Sequence, residues 1–298
     1  MKRIHNKLDK LINSLKIKEN QKSFLRNNAK GFYNKLKNIS QYQKPYWSDI
    51  YLSAGSYKYT LVRFWYDGSF DRGIFIKNRF DIDMYFVFKK DTPITQNNLI
   101  GSLLFELLYS HLKIYQYYHR MNMKILKNPP YRRSIPIRMD YQGISILFDC
   151  IPAIELPNGY LVIPNGKGGI KKVNPKLEEK ALSKLNKKQN GNIIKLILLI
   201  KYWNFTWGRP FKGYLIERLV ESIFDIMEIH TWDRAVKTFF NRAINILDKK
   251  KLLYDRVYTQ YSILDEYSSK ELKIFLEVLR EAKIYAQNGK WEVLFDEL

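Results

Sequence analysis

Cysteine occurs once in the 298 residues, at Cys150. One thiol closes no internal disulfide and builds no cysteine-based metal centre, so a reducing, cytoplasmic setting is expected. The four histidines, His5, His111, His119 and His230, are scattered without ligand spacing. Long apolar runs are missing as well. The best candidate, Ile193–Ile200, is interrupted by Lys195 and falls far short of the ~20 residues of a bilayer span. The basic, amphipathic start MKRIHNKLDKLINSLK has no apolar h-region, so neither a signal peptide nor a membrane partner is expected. Internal repeats and low-complexity tracts are absent. Acidic residues are scarce beside basic ones, 29 against 51, for a net charge of +22. That balance favours a phosphate-rich partner, with nucleic-acid contact on a basic surface as one form of it. Lysine-, asparagine- and isoleucine-rich usage also follows from an A/T-skewed genome, so charge alone does not name the partner.

A hydrophobic fraction of 46% with 22 tyrosines and 17 phenylalanines supports a packed core. Residues 4–40 carry apolar positions at helical spacing, Ile4, Leu8, Leu11, Ile12, Leu15, then Phe24, Ala29, Phe32 and Leu36. They predict one long helix or two in line. Residues 50–66 alternate and are rich in β-branched and aromatic types, which predicts a strand. A glycine turn at Asp67-Gly68-Ser69 leads to a short helical stretch and then to a strand over Asp81–Phe88. Residues 99–118 read as a helix. Residues 133–156 read as two strands about a turn at Gln142-Gly143, and 156–175 as a loop with one short hairpin. From Lys176 onward nearly everything is helical. The expected class is α+β: a lobe with a mixed β-sheet over 1–175, including the N-terminal helix, and a helical lobe over 176–298.

Asp81 and Asp83 open an otherwise apolar strand, DIDMYFVF. Their spacing of two puts both on one face. Unpaired, each acid costs several kcal/mol, roughly, to bury, so a basic partner or a bound cation must compensate them. A third acid, Asp149, stands at the end of the apolar strand ISILF. Three carboxylates from two neighbouring strands suit Mg²⁺, a hard cation that takes oxygen ligands. Two such ions would serve attack by a hydroxyl and departure of pyrophosphate. Upstream, Gly68-Ser69 feeds a helix start, where backbone N–H groups and a serine hydroxyl can receive phosphate.

Taken in order, GSFDRGIFIKNRFDID and the distant FDCIPAIEL resemble the active-site signature of the DNA-polymerase-β-like nucleotidyltransferases. The best match is the branch of oligoadenylate synthases, cyclic GMP-AMP synthases and bacterial relatives, the cGAS/DncV-like nucleotidyltransferases. NGYLVIPNGKGGIKKVNPK resembles that branch's substrate-side loop. LILLIKYWN resembles the helix whose lysine, here Lys201, reaches the donor triphosphate. FKGYLIERL resembles the next helix, where a Ser-Tyr pair touches phosphate and stacks on the base. The pair is Gly213-Tyr214 in this chain, so Tyr214 alone carries over. The resemblance spans roughly residues 50–225.

It implies an active site in a cleft between the two lobes. Asp81, Asp83 and Asp149 would be catalytic and hold two Mg²⁺ ions, for which Mn²⁺ can substitute. Gly68, Ser69, Lys201 and Tyr214 would bind nucleotide. The substrates would be nucleoside triphosphates, ATP among them, and the product a cyclic or short linear oligonucleotide second messenger in antiphage signalling. A monomer is expected. Alternatives are a template-independent transferase that extends RNA or tRNA, and an inactive protein that only binds nucleotide or nucleic acid. Read without the resemblance, Lys201 among Leu198, Tyr202 and Trp203 also fits a snorkelling surface lysine. Tyr214, Trp65, Trp203 and Trp207 fit packing, Arg132 and Arg133 fit a solvated face, and Cys150 fits a buried small residue.

Overall fold

A computed structural model describes residues 2–42, 50–52, 55–57, 59–74, 76, 81–90, 105–106, 108–110, 112–113, 116, 123–126, 133–141, 144–166, 169–208, 210–249, 252–257, 262–296 and 298. They fall into two compact units, one of residues 17–72 and 78–175, the other of 1–16, 73–77 and 176–298. The change at 175/176 coincides with the composition switch in the sequence. The first 16 residues and Gly73–Lys77, assigned from sequence to the sheet lobe, instead pack with the helices.

That difference comes from a break in the N-terminal periodicity. Two helices form, α1 (Lys2–Leu15) and α2 (Glu19–Tyr42). Between them Lys16 makes an isolated antiparallel bridge to Ile76, which takes its backbone out of the helix. Leu8, Leu11, Ile12 and Leu15 then bury into the helical core.

In the sheet unit, the alternating run at 50–66 divides. β1 (Ile50–Leu52) and β2 (Gly55–Tyr57) pair antiparallel as a separate two-stranded sheet. β3 (Tyr59–Asp67) joins the main sheet and runs into a one-turn helix, α3 (Gly68–Asp71). The main sheet continues with β4 (Asp81–Lys90), β5 (Met123–Ile125), β6 (Ile135–Tyr141), β7 (Ile144–Glu155), β8 (Leu161–Pro164) and β9 (Ile170–Val173). Its order is β3-β4-β7-β6-β5, with β8 pairing β7 and β9. The β4–β7 pair is parallel and the others are antiparallel, so the sheet is mixed. The expected hairpin in 156–175 is β8–β9. The turn Gln142-Gly143 lies outside the described residues, but the pair Tyr141–Ile144 flanks it. Of the helix expected over 99–118, residues 105–106, 108–110, 112–113 and 116 are described, and all are helical.

The two faces of the sheet differ. Even positions of β4 and β7, including Ile82, Met84, Phe86, Phe148 and Cys150, are buried. Phe32 of α2 packs its ring 5.9 Å from both Phe86 and Phe148. In α2 Leu25, Ala29, Phe32 and Leu36 are buried, while Phe24 is half-buried. On the opposite face Tyr85, Val87, Ile151 and Ala153 pack with Leu161, Ile163 and Val173 into a smaller core. Each buried valine, leucine, isoleucine or phenylalanine side chain among them contributes about 1.5–3 kcal/mol.

The helical unit comprises α4 (Pro175–Lys188), α5 (Asn192–Thr206), α6 (Gly213–Phe224), α7 (Trp232–Asp248), a 3₁₀ turn (Ile263–Glu266), α8 (Ser269–Gln287) and α9 (Trp291–Leu294). α5 buries residues on nearly every side, as an apolar central helix must. Trp203, in its last turn, packs against Trp207, Phe211 and Phe240. Trp203 and Trp207 are therefore packing residues. No helix among the described residues is long and apolar enough to cross a membrane.

Candidate active site

The acids lie on the face of the smaller core. Counting back by twos from Val87 and Tyr85 gives Asp83 and Asp81; counting back from Ala153 and Ile151 gives Asp149. In the parallel β4–β7 ladder Asp83 stands directly opposite Asp149. In the antiparallel β3–β4 ladder Asp83 also stands opposite Asp67, an acidic position not singled out as a site from sequence. Apolar side chains thus fill the far half of this face, and acids follow at the start of β4 and at the middle of β7, where the sequence predicts a strand end. The side chain of Asp81 lies outside the described residues. Among the described residues no three His, Cys, Asp or Glu side chains gather as a metal cluster.

Gly68 closes one flank of the acids. Its φ is +72°, a conformation that costs other residues roughly 1–2 kcal/mol. A Cβ built there would fall 1.8 Å from Asp83 Oδ2 and 2.8 Å from Asp83 Cγ. The Asp83 carboxylate therefore lies against the Gly68 backbone, and only glycine leaves room for it. Ser69 is half-buried in the same turn. Gly68→Ala is expected to displace the carboxylate by an ångström or so and to lower any catalysis that depends on it by roughly a hundredfold. A rate assay with a thermal melt checks this, because the folded protein should persist.

On the other flank Ser134 Oγ donates to Asp149 Oδ1 at 3.3 Å, and Arg133 Nη2 donates to Tyr85 Oη at 3.4 Å. Ser134 precedes β6, and no sequence signal marks it. Cys150 faces the other way and is fully buried. Burial, and then the Asp149 charge, push its thiol well up. It is an inert packing residue, as expected. Arg132 lies outside the described residues.

Lys201 and Tyr214 belong to the helical unit. Lys201 is no surface lysine, since its side chain is 11% exposed. Its Nζ donates to Glu217 Oε1 at 2.8 Å and approaches the Ile74 carbonyl at 3.5 Å. Tyr214 Oη donates to Asp255 Oδ2 at 3.0 Å. Burial, then the charges of Glu178 and Asp255, hold its phenol above the ordinary value, so it stays a proton donor. Around them Arg256 pairs with Glu221 and lies 3.8 Å from both Glu217 and Glu178. This charged network was not legible in the sequence. Glu217 lies four residues beyond Gly213, on the same face of α6.

The donor set suits a hard cation. Asp83 and Asp149 supply oxygens from opposite positions of the paired strands β4 and β7, and Asp81 is a third acidic position on that face. Two carboxylates so placed repel each other, and Mg²⁺ or Mn²⁺ would remove that repulsion.

No family profile matches the chain. A protein of Bacillus cereus (strain VD146) named "Probable cyclic nucleotide synthase" is 25% identical over 241 residues, covering 71% of this chain and 68% of that one. Among solved structures, CdnC of E. coli MS115-1 with ATP superposes with a TM-score of 0.68 at 18% identity, covering 95% of this chain and 91% of that one. The Vibrio cholerae cyclic AMP-GMP synthase DncV, in complex with the linear intermediate pppA(3′,5′)pG, gives 0.64 at 12% identity over 93% and 87%. The chain has the fold of the cGAS/DncV-like nucleotidyltransferases, to which CdnC and DncV belong.

Proposed function

We propose that the protein joins nucleoside triphosphates into a cyclic or short linear oligonucleotide, releasing pyrophosphate. The observation that carries this reading is the Asp83 carboxylate lying against the Gly68 turn with Asp149 opposite it on the neighbouring strand. That places acids beside a backbone suited to phosphate. The similarity to a named cyclic nucleotide synthase and to nucleotide-bound CdnC and DncV supports the same reading.

In the reaction an acceptor hydroxyl oxygen bonds to the α-phosphorus, and the bond from that phosphorus to the β-phosphate's bridging oxygen breaks. The turn at Gly68 and Ser69 would hold the outgoing β- and γ-phosphates through backbone N–H groups and a hydroxyl. Asp149, held by Ser134, would orient the acceptor hydroxyl and take its proton. Lys201 would add positive charge to the triphosphate, and Tyr214 a ring for the base. Asp81, Asp83 and Asp149 would hold two Mg²⁺ ions, which when bound supply charge neutralisation at the phosphates. Most of the acceleration would come from positioning and fixed charge. ATP is expected among the substrates, and antiphage signalling as the setting.

The test is incubation of the purified protein with α-³²P-labelled nucleotides, singly and mixed, with Mg²⁺ or Mn²⁺ and with and without RNA. A phosphatase-resistant small product, lost in an Asp81→Ala/Asp83→Ala protein, is the expected result. Label transferred to RNA instead would replace this reading with an RNA-extending transferase. Nucleotide binding without turnover in every condition would replace it with an inactive binding protein.

A further inference from the structure

Lys201 has a partner that the proposed reaction does not use. Glu217 is 2% exposed in its side chain, and its Oε1 sits 2.8 Å from the Lys201 ammonium. Beside this pair, α6 begins at Gly213. A Cβ there would lie 3.5 Å from Lys201 Cε and 3.6 Å from Nζ. The lysine tip therefore runs along bare backbone, with no side-chain hydroxyl at position 213 to share a phosphate. On its far side Glu217 Oε2 is 3.8 Å from Arg256. Arg256 does not neutralise Glu217 alone, because it also pairs with Glu221 and lies 3.8 Å from Glu178. Three cations, Lys201, Arg218 and Arg256, face four acids, Glu178, Glu217, Glu221 and Asp255. Among the described pairs of this cluster, the cations do not outnumber the acids.

We infer that Glu217 is a positioning residue that sets how tightly Lys201 holds a triphosphate. This rests on the assignment of Lys201 to phosphate in the proposed function. The carboxylate fixes the ammonium in one place and opposes part of its charge, so an arriving polyphosphate meets a weakened cation. Glutamine keeps the hydrogen bond from Lys201 and removes the opposing charge. An added unit charge about one side-chain contact away, partly screened, changes affinity by roughly three- to tenfold.

The probe is inorganic tripolyphosphate, which carries the triphosphate without a base, titrated calorimetrically in the presence of Mg²⁺ and followed by MgATP. Glu217→Gln is expected to tighten tripolyphosphate three- to tenfold, and to lower the KM for ATP by a similar factor with a much smaller change in kcat. Lys201→Ala should weaken binding, and Lys201→Ala/Glu217→Gln should bind no better than Lys201→Ala. A purely structural Glu217 would change melting temperature without tightening anything. Glu217→Asp keeps the charge and withdraws it from Lys201, and should tighten binding in the same sense. It decides the matter if the glutamine variant fails to fold. Weakened or unaltered binding in a folded Glu217 variant overturns the inference. So does parental binding in Lys201→Ala, but that result leaves the proposed function to stand or fall on the labelled-nucleotide assay.

Discussion

Asp83→Asn is expected to lower nucleotidyl transfer by roughly a thousandfold or more while leaving the metal-free protein no less resistant to heat. The two halves of that result share a cause. Asparagine matches aspartate in shape and keeps one carbonyl oxygen against the Gly68 turn, where a Cβ would meet Asp83 Oδ2 at 1.8 Å. The rung to Asp149 is preserved, but one of two facing negative charges is gone. Facing like charges destabilise a sheet, so the folded chain loses a repulsion. Catalysis loses what the charge is for. Carboxylates that hold a cation at a transferring phosphoryl group supply several kcal/mol of transition-state stabilisation, and about 4 kcal/mol corresponds to roughly a thousandfold. The measurement is pyrophosphate release with a parallel melt, each with and without Mg²⁺. Mg²⁺ with ATP should raise the parent's melting temperature through binding and do so far less for the variant. A variant that keeps its rate, or melts well below the parent without metal, would mark Asp83 as a structural acid and remove the basis of the proposed site.

Strand parity explains why much of this site was legible in advance. DIDMYFVF places its acids on one face whatever the strand packs against; the apolar ISILF run predicts Asp149 as a strand-end acid, whereas β7 continues to Glu155 and holds it mid-strand. The mixed lobe, the β8–β9 hairpin and the helical second half follow from periodicity, because period and turn chemistry are local properties. What escaped was non-local. The apolar stripe of Leu8, Leu11, Ile12 and Leu15 announces a buried helix face but not its partner, so the sequence places α1 with the sheet although it packs on helices. Ser134 lies in irregular backbone before β6 and gains meaning only when the β6–β7 register brings it to Asp149. Glu217 and Glu221 read as ordinary polar positions of an amphipathic helix. Their burial depends on Arg256, which lies 39 and 35 residues away in the sequence, and no local pattern encodes that pairing.

Arg256→Ala is expected to cost the fold about 3–5 kcal/mol, the range for removing one partner of a buried ionic group. The guanidinium is 3% exposed in its side chain. Its Nε donates to Glu221 Oε2 at 2.9 Å, and Nη2 donates to Glu221 Oε1. The ring of Tyr214 lies 5.9 Å from its Cζ. Truncation would leave Glu217 and Glu221, 2% and 5% exposed, facing each other's charge with Lys201 and Arg218 opposite. It would also untie the segment at 252–257, whose Leu253 enters the helical core. Arg256→Lys should recover only part of the loss, because an ammonium cannot reproduce the two-pronged contact with Glu221. The sign of a second substitution separates charge from packing. Glu221→Gln alone should destabilise, since Arg256 and Arg218 lose their shared acid. Placed on Arg256→Ala it should restore stability, by a coupling of roughly 1–3 kcal/mol, because it removes an uncompensated buried charge. Urea denaturation of the four proteins measures that cycle. Additive losses, or a loss under about 1 kcal/mol for Arg256→Ala, would mean that water screens these groups as it does surface pairs. Lys201 would then owe little of its position to the network behind Glu217.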